Sequence, residues 1–324
     1  MAGAARASSL FVHNNDTELH QLIIDELVFP YVMGEFLPLF QPQLAGGLLF
    51  AFLKIDGGLR PFLCGSIWRR CAARLTSDCT RDAARTYFTT TYPNQVAYRI
   101  VPRDARSCLT CSMICPRTTK TLMILSPSST PTSAFQEMCR QVSFDTLTGK
   151  AAQPYDDGRV QPGDDIPTIK GLRPFLGHFH AMHGTASNNR YRDPRGHTHH
   201  VKGTTGGQQG DGLEMMRYSL SQHPIMGRVF ARHRNARGVG FADDLNIYAS
   251  LKTALKVLVE MRQRLGEDAK LSFNMTKVKI CIPGVTRERT RELVLQHIEQ
   301  DPSLESLREL YEQDLAKPEL ISSL

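Results

Sequence analysis

Two adjacent carboxylates, Asp243 and Asp244, lie between short apolar runs, and this arrangement restricts the local fold more than any other feature. Residues 245–249 alternate between apolar and more polar side chains, which is the period of a strand with one buried face. The apolar run 238–242 precedes the pair, so the pattern predicts a hairpin with both acids near its tip. Vicinal carboxylates repel one another, and oxygen ligands of this kind suit Mg²⁺ or Mn²⁺. Because Asp is a favoured turn residue, a solvated turn stays equally open from spacing alone.

The size and charge of the chain narrow the class of protein. A chain of 324 residues can form two or three lobes with substantial cores. Its net charge of +7 favours a polyanionic partner, without choosing between nucleic acid and a membrane surface. Residues 1–30 lack a continuous apolar core, so we predict an intracellular protein that is not secreted. Residues 36–53 form an uncharged apolar run, but its prolines and glycines favour a loop and a strand over a membrane span.

Cysteine and histidine spacing does not predict a structural metal site. The 8 cysteines show no disulfide framework, which fits a reducing compartment. Cys108, Cys111 and Cys115 are close in sequence but lack a clear fourth ligand at zinc-finger spacing. The histidines at 178, 180, 183, 197, 199 and 200 lie in a stretch rich in Gly, Arg and Asn, which predicts a solvated loop.

The periodicity elsewhere predicts several helices and a second hairpin. Strands are expected over 48–54 and 59–65 around a Gly-Gly turn, followed by a helix from Ser66 to about Ala84. Amphipathic helices are expected over 17–28, from Leu213 through Phe230, and from the N-cap Ser250 onwards. A short helix over 133–142, a helix pair over 166–183 and a helical tail from Thr286 complete the prediction.

Four ordered segments resemble the reverse transcriptases of LINE-type (non-LTR) retrotransposons. Residues 54–70, Lys-Ile-Asp-Gly-Gly-Leu-Arg-Pro-Phe followed by Leu-Cys-Gly-Ser-Ile-Trp-Arg-Arg, are similar to the fingers segment of that family. Residues 203–213, with Gly-Gln-Gln-Gly-Asp-Gly-Leu at their end, are similar to its Gly-Val-Gln-Gln-Gly-Asp-Pro-Leu loop. Phe-Ala-Asp-Asp at 241–244 resembles its metal-binding hairpin, and residues 271–280 resemble its Leu-Asn-x-x-Lys-Thr-Lys-Val element.

The resemblance implies an α+β right-hand polymerase with fingers, a palm built on an antiparallel sheet flanked by helices, and a partial or missing thumb. A helical segment and linker at 1–46 would precede fingers at 47–140. The palm would cover 141–285 with an insertion-rich segment near 150–200, and 286–324 would form a partial thumb or helical tail.

The resemblance also implies a metal site built from three carboxylates. Asp145, at the end of a predicted strand over 142–145, would join Asp243 and Asp244. The three would hold two Mg²⁺ or Mn²⁺ ions for nucleotidyl transfer. Lys150 stands where the family has an aromatic residue that screens the sugar 2′ position. Asp156 and Asp157 compete with Asp145 if the register is shifted.

The partners implied by the resemblance are an RNA template, a DNA primer and deoxynucleoside triphosphates. Basic and glycine-flanked groups would contact the incoming nucleotide and the template, because arginine binds phosphate bidentately and glycine lets backbone N–H groups approach closely. These nucleotide-binding candidates are Lys54, Arg60, Gln208, Gln209, Gly210, Asp211 and Lys277.

The sequence therefore predicts an RNA-directed DNA polymerase of a retrotransposon that extends a DNA primer, with a nuclear location implied only by the resemblance. Two other interpretations stay open. One is a degenerate or truncated element remnant that keeps nucleic-acid binding without polymerase activity, which the departures after Asp145 favour. The other is a basic RNA-binding module with a coincidental acidic turn, which the ordered motifs disfavour.

Overall fold

Strands and helices are interleaved along the part of the chain that the computed structural model describes. The described residues are 17–53, 57, 59–90, 94–95, 122–125, 137–150, 171–173, 176–241, 244–271 and 278–308. The strands are β1 (Gly47–Leu53), β2 (Leu59–Gly65), β3 (Asn94–Gln95), β4 (Leu122–Leu125), β5 (Ser187–Arg192), β6 (Thr198–Gly203), β7 (Arg237–Phe241), β8 (Asp244–Tyr248) and β9 (Lys279–Cys281). The helices are α1 (Thr17–Ile23), α2 (Phe29–Met33), α3 (Gln41–Leu44), α4 (Ile67–Cys79), α5 (Arg81–Thr90), α6 (Arg140–Leu147), α7 (Leu176–His183), α8 (Glu214–Arg232), α9 (Leu251–Ala269) and α10 (Arg287–Gln300). The predicted α+β class is confirmed.

The first sheet has the strand order β2-β1-β5-β6. The predicted hairpin of β1 and β2 is confirmed, with Phe50 opposite Phe62 in an antiparallel register. β5 then pairs in parallel with β1, and β6 returns antiparallel to β5. The sheet is therefore mixed and brings residues of the first third of the chain beside residues near its middle.

The second sheet has the order β3-β7-β8-β4-β9 and contains the acidic hairpin. β7 and β8 pair antiparallel, with Phe241 opposite Asp244, so the hairpin predicted from the sequence is confirmed. β4 lies antiparallel to β8 on the other side, and β3 pairs in parallel with β7. This sheet is therefore mostly, but not wholly, antiparallel.

Helices α8 and α9 cover this second sheet and form the main core with it. Leu245 and Ile247 of β8 pack among buried residues of both helices, including Val229, Leu258 and Met261. The predicted helix after Ser250 is confirmed, and the hydroxyl of Ser250 accepts a hydrogen bond from the Thr253 N–H. Both helices hold β8 in place, which fixes where the acidic tip emerges.

Several sequence predictions differ from the structure at helix boundaries. The helix predicted over 17–28 is instead α1 followed by a π-helical turn, and the helical path continues through α2 to Gly34, which has a left-handed conformation. The single helix expected from Ser66 to Ala84 is divided into α4 and α5 at Thr80, whose hydroxyl donates to the Thr76 carbonyl at 2.6 Å. Within the described ranges, no helix is both long and apolar enough to cross a membrane.

The solvated loop predicted around the histidines is wrong for residues 176–203. His178 and His183 are buried in α7, and the following segment forms the β5–β6 hairpin. Asp193 closes that hairpin, because its carboxylate accepts from the His197 N–H at 2.9 Å while Gly196 takes a positive φ of 89°. The strand signal was hidden because nearly every side chain in this hairpin is polar.

Candidate functional site

The acidic hairpin places Asp244 at the start of β8, where its side chain is exposed. Leu245 and Ile247 are buried at 2% and 0% exposure, so the alternation of the strand turns Asp244 and Asn246 away from the core. Asp243, its predicted partner, lies outside the described residues. Asp244 is therefore accessible to a ligand at the hairpin tip.

The strand on the other side of β8 carries no carboxylate. β4 has the sequence Leu-Met-Ile-Leu, and its Leu125 lies opposite Leu245, the residue that follows Asp244. The sequence has no Asp or Glu anywhere between residues 105 and 136, so neither β4 nor its flanking segments offer an acidic ligand. Because β7 and β4 are the two neighbours of β8, no third carboxylate lies on an adjacent strand within the described part of the chain.

Asp145 does not lie on a strand, so the prediction for residues 142–145 is wrong. It belongs to α6, which packs against α7 and α8, and its carboxylate accepts a hydrogen bond from Gln141 Nε2 at 2.8 Å. Ser143, Thr146 and Leu147 are the buried residues of α6, and their spacing is that of a helix face. The two apolar residues of the segment, Val142 and Phe144, are too few to distinguish the period of a strand from that of a helix.

The described residues therefore do not fit the predicted two-metal clamp. Two-metal transfer needs ions about 3.5–4 Å apart, held by carboxylates that converge from neighbouring elements. In the described part of the chain, no group of three His, Cys, Asp or Glu side chains is placed to hold a metal ion. The competing candidates Asp156 and Asp157 lie outside it.

The glycine-rich loop before α8 turns one predicted nucleotide ligand inward. Gln208 is 6% exposed, and its Nε2 donates to the Ala45 carbonyl and to Ser187 Oγ, both at 2.9 Å. Its backbone N–H donates to Glu214 Oε2 at 3.2 Å. The structure thus gives Gln208 internal partners in place of a nucleotide, and the side chain fastens the loop to the first sheet.

Asp211, another predicted ligand, is paired with a buried arginine. Arg69 Nε donates to Asp211 Oδ2 at 3.0 Å, and the side chains of both residues are at most 3% exposed. A second guanidinium nitrogen of Arg69 donates to the Ala45 carbonyl. Burial raises the pKa of Asp211, but the charge of Arg69 and a hydrogen bond from the Leu213 N–H outweigh it and hold that pKa below its usual value. Asp211 is therefore a buried anion that joins the loop to α4.

Gln209 and Gly210 remain next to the surface of β2. The Leu63 N–H donates to the Gln209 carbonyl at 2.8 Å, so the loop runs along the edge of that strand. Gly210 is exposed and has a φ of +112°. A Cβ atom there would lie 2.6 Å from the Leu63 carbonyl oxygen and 2.7 Å from the Phe62 ring. The close approach of loop and strand thus requires glycine.

The remaining nucleotide-binding candidates are less fully described. The backbone of Arg60 pairs with Phe52 in the β1–β2 hairpin. Lys54 and Lys277 lie outside the described residues. Their predicted contacts to a triphosphate stay predictions.

Arg140 is a structural residue of this region that the sequence did not reveal. Its guanidinium donates to the carbonyls of Gly206, Thr185, Gly203, His183 and Thr205, at 2.7 to 3.3 Å. Burial, followed by the nearby charge of Arg217, lowers the pKa of Arg140 to about 10, so the side chain stays cationic at neutral pH. Arg140 binds the start of the glycine-rich loop to the end of α7. Its carbonyl partners lie more than 40 residues further along the chain, so no local sequence pattern predicts these hydrogen bonds.

A second buried ion pair lies beside it. Arg217 Nε donates to Glu214 Oε2 at 3.1 Å, and both side chains are at most 4% exposed. Arg217 Nη1 and His183 Nδ1 are buried without a hydrogen-bond partner among the described residues. Burial and the cations Arg217 and Arg69 hold the pKa of His183 well below its usual value, so this imidazole is neutral at pH 7.

These two sheets and the loop between them match a known architecture. The chain is similar to apo telomerase from Candida tropicalis, with a TM-score of 0.51 and 11% identity over 83% of this chain and 50% of that one. It is also similar to telomerase from Candida albicans, solved in complex with a TWJ fragment of telomeric RNA, with a TM-score of 0.50 and 12% identity. The chain has a reverse-transcriptase-like fold.

The likeness shows the fold alone at these identities. The match to the Candida albicans protein covers 83% of this chain and 47% of that chain, so the chain spans about half the length of the telomerases it resembles. The sequence matches no protein-family model, and no curated protein is significantly similar to it. The predicted polymerase fold is thus confirmed, whereas the LINE-type origin stays a prediction.

Proposed function

We propose that this chain is a nucleic-acid-binding protein of the reverse-transcriptase fold that does not carry out metal-dependent nucleotidyl transfer. It is assigned to a LINE-type retrotransposon by the four ordered motifs, with fingers, palm and partial thumb divided as the sequence predicts. Its partners are an RNA template and a DNA primer, bound through their phosphates without sequence preference.

The binding part of the proposal is supported by fold and charge together. The fold is the one in which telomerase from Candida albicans was solved with a fragment of telomeric RNA. The net charge of +7 attracts a polyanion at physiological ionic strength.

The proposed lack of nucleotidyl transfer is supported by one observation, which is that β4 has no carboxylate to serve as the third metal ligand. Asp244 is presented at the hairpin tip, but the strand bonded to β8 has only apolar residues and no acid follows it before Glu137. A pair of divalent cations repel one another, so they need several converging anionic ligands to be held close together. Asp145, the expected source of the third, is in a helix.

A second candidate is the RNA-directed DNA polymerase itself, which the exposed Asp244 in an acidic hairpin favours. In that case Asp243 and Asp244 would hold Mg²⁺ or Mn²⁺, deoxynucleoside triphosphates would be substrates, and another oxygen ligand would come from Asp156 or Asp157.

A template–primer experiment separates the two candidates. The protein is mixed with poly(rA)/oligo(dT), and binding is measured by anisotropy before Mg²⁺ or Mn²⁺ and dTTP are added. The proposal predicts a stable complex with no primer extension, and unchanged binding for Asp244→Asn. Extension that Asp244→Asn abolishes would establish the polymerase instead. Failure to bind the template–primer at all would refute the nucleic-acid-binding function.

A further inference from the structure

A cavity of about 310 Å³ lies between the end of α8, the middle of α9 and the 3₁₀ helix Pro302–Leu307. Arg232 and His233 line it at the end of α8, and Ser303 and Leu304 line it from the 3₁₀ helix. Because α8 has 19 residues, its end is roughly 28 Å from the glycine-rich loop that precedes it. The cavity is therefore separate from that loop.

One face of α9 provides the rest of the lining. Lys256, Val259, Glu260, Gln263 and Arg264 line the cavity, and their spacing is that of a single helix face. Val259 packs against the main core, and Leu304 across from α9 is fully buried in it. Charged and polar side chains thus surround a small apolar base that the core holds in place.

The side chains around the cavity carry an excess of positive charge. Arg232, Lys256 and Arg264 are cations, whereas Glu260 is the single carboxylate among the described residues that line it. With His233 counted as neutral, three cations and one carboxylate give a net charge of +2. Glu260 accepts from Arg232 Nη1 at 2.6 Å and lies 2.8 Å from His233 Nε2, so one acid serves both groups. The cavity therefore favours an anion.

Two of the cations have donors for such an anion. The ammonium group of Lys256 has three donors, and in the described contacts it uses one, to Asp301 Oδ2 at 2.9 Å. The guanidinium of Arg264 lies 3.8 Å from the Glu267 carboxylate, which is beyond hydrogen-bond distance. Neither of these acids is among the residues that line the cavity. Lys256 and Arg264 can thus donate to a ligand while the described hydrogen bonds stay in place.

We propose that this cavity binds a small phosphate monoester, with the phosphate on Arg232, Lys256 and Arg264 and the ester group against Val259 and Leu304. A phosphate monoester carries a charge of about −1.5 to −2 at pH 7, which matches the lining better than a carboxylate does. Guanidinium groups also bind phosphate oxygens in pairs. Small-molecule cavities begin at about 300 Å³, so the ester group is on the order of one ring.

Calorimetric titration of the full chain with phenyl phosphate, inorganic phosphate and phenol tests the site. Inorganic phosphate should bind about tenfold more weakly than phenyl phosphate because it lacks the apolar ring, and phenol should not bind measurably. Lys256→Gln and Arg264→Gln should each weaken phenyl phosphate binding about tenfold. Glu260→Gln removes the lining carboxylate and should strengthen binding about fivefold.

Two control variants separate ligand binding from effects on the fold. Asp301→Asn breaks the same ion pair as Lys256→Gln but retains the lysine, so phenyl phosphate binding should not weaken. Arg74→Gln removes an exposed, paired arginine of α4 and should leave the affinity unchanged. Equal losses for Lys256→Gln and Asp301→Asn would show that the pair only positions the 3₁₀ helix, and would overturn the proposal. A parent chain that does not bind phenyl phosphate, or that binds phenol as tightly, would also overturn it.

The phosphate can belong to a free small molecule or to a phosphorylated side chain of another protein, and a peptide probe distinguishes these sources. Ala-phosphotyrosine-Ala presents the same phenyl phosphate within a polypeptide. The free ester should bind as tightly as the peptide, because the cavity has room for about one ring and its phosphate. Tighter binding of the peptide would assign the phosphate to a protein partner and overturn the small-molecule ligand.

Discussion

Arg69 Nε donates a 3.0 Å hydrogen bond to Asp211 Oδ2, although the two residues are 142 positions apart in the chain. The pair links α4, which follows the β1–β2 hairpin, to the glycine-rich loop that precedes α8. Both side chains are at most 3% exposed, so neither charge has water to replace its partner. The Arg69–Asp211 pair thus fixes the loop that resembles a nucleotide-binding element to α4.

Removal of one partner of this pair should be costly. We expect Arg69→Met to lower the free energy of unfolding by about 3–5 kcal/mol, because it leaves the Asp211 carboxylate buried and uncompensated. The double variant Arg69→Met with Asp211→Leu should recover part of that loss, since it removes both charges. Urea unfolding measures both values.

An exposed pair on the same helix provides the control. Arg74 and Asp78 are joined at 2.8 Å with side chains 62% and 37% exposed. Arg74→Met should change stability by less than about 1 kcal/mol. Equal losses for the two arginine variants would show that the Arg69–Asp211 pair has no special role in stability.

Stability should fall on acidification because three buried groups, His178, His183 and Asp211, have lowered pKa values. The pKa of His183 lies well below its unfolded value of about 6.5, so its contribution is complete above that pH and is lost as pH falls below it. The pKa of Asp211 is also lowered, so its contribution is present above about pH 4 and is lost as pH falls through the folded value.

The histidine component is measurable separately. Urea unfolding between pH 7 and pH 5 should show a decline in stability that His183→Gln reduces, because the glutamine has no proton to gain. His200→Gln changes an exposed histidine and should leave the decline intact. A slope that His183→Gln does not alter would contradict a neutral buried imidazole.

Arg140 should control the order of the glycine-rich loop. Arg140→Lys retains the charge but has only three donors for carbonyls that the guanidinium contacts at five positions. We expect a loss of about 1–3 kcal/mol in stability. Hydrogen exchange of the amides at 203–208 should accelerate more than exchange in α9. Uniform acceleration in both segments would indicate general destabilisation instead.

Gly210 should not tolerate a side chain, in contrast to Gly212. Gly210→Ala would place Cβ 2.6 Å from the Leu63 carbonyl oxygen at a φ of +112°, so it should cost about 1–3 kcal/mol and separate the loop from β2. At Gly212 the nearest atom to a new Cβ is Ala73 Cβ at 3.5 Å, an ordinary contact, so Gly212→Ala should be tolerated. Equal thermal stability of the two variants would contradict the described loop path.

The sequence predicted long periodic elements well, because their burial pattern repeats over several turns. In α9 the leucines at 251, 255, 258 and 265 are all buried, and Ser250 caps the helix as expected. The acidic hairpin was predictable from a different period, because the buried residues Leu245 and Ile247 alternate with the more exposed Asp244 and Asn246.

The candidate site was harder to predict because its residues depend on long-range partners. The environment of Asp211 depends on Arg69, and that of Gln208 on Ala45 and Ser187, which no local pattern reveals. The strand prediction for Asp145 was wrong because the spacing of only two apolar residues, Val142 and Phe144, fits a strand as well as a helix. The absence of acids around β4 was visible in the sequence, but only the pairing of β4 with β8 gives it meaning.

Single-turnover primer extension by the parent chain and by Asp244→Asn tests the central claim most directly. Each protein is saturated with poly(rA) annealed to labelled oligo(dT), and Mg²⁺ or Mn²⁺ is then added with dTTP. Both proteins should bind the template–primer equally, and neither should extend the primer. Extension by the parent chain that disappears in Asp244→Asn would contradict the account and establish a working metal site in the acidic hairpin.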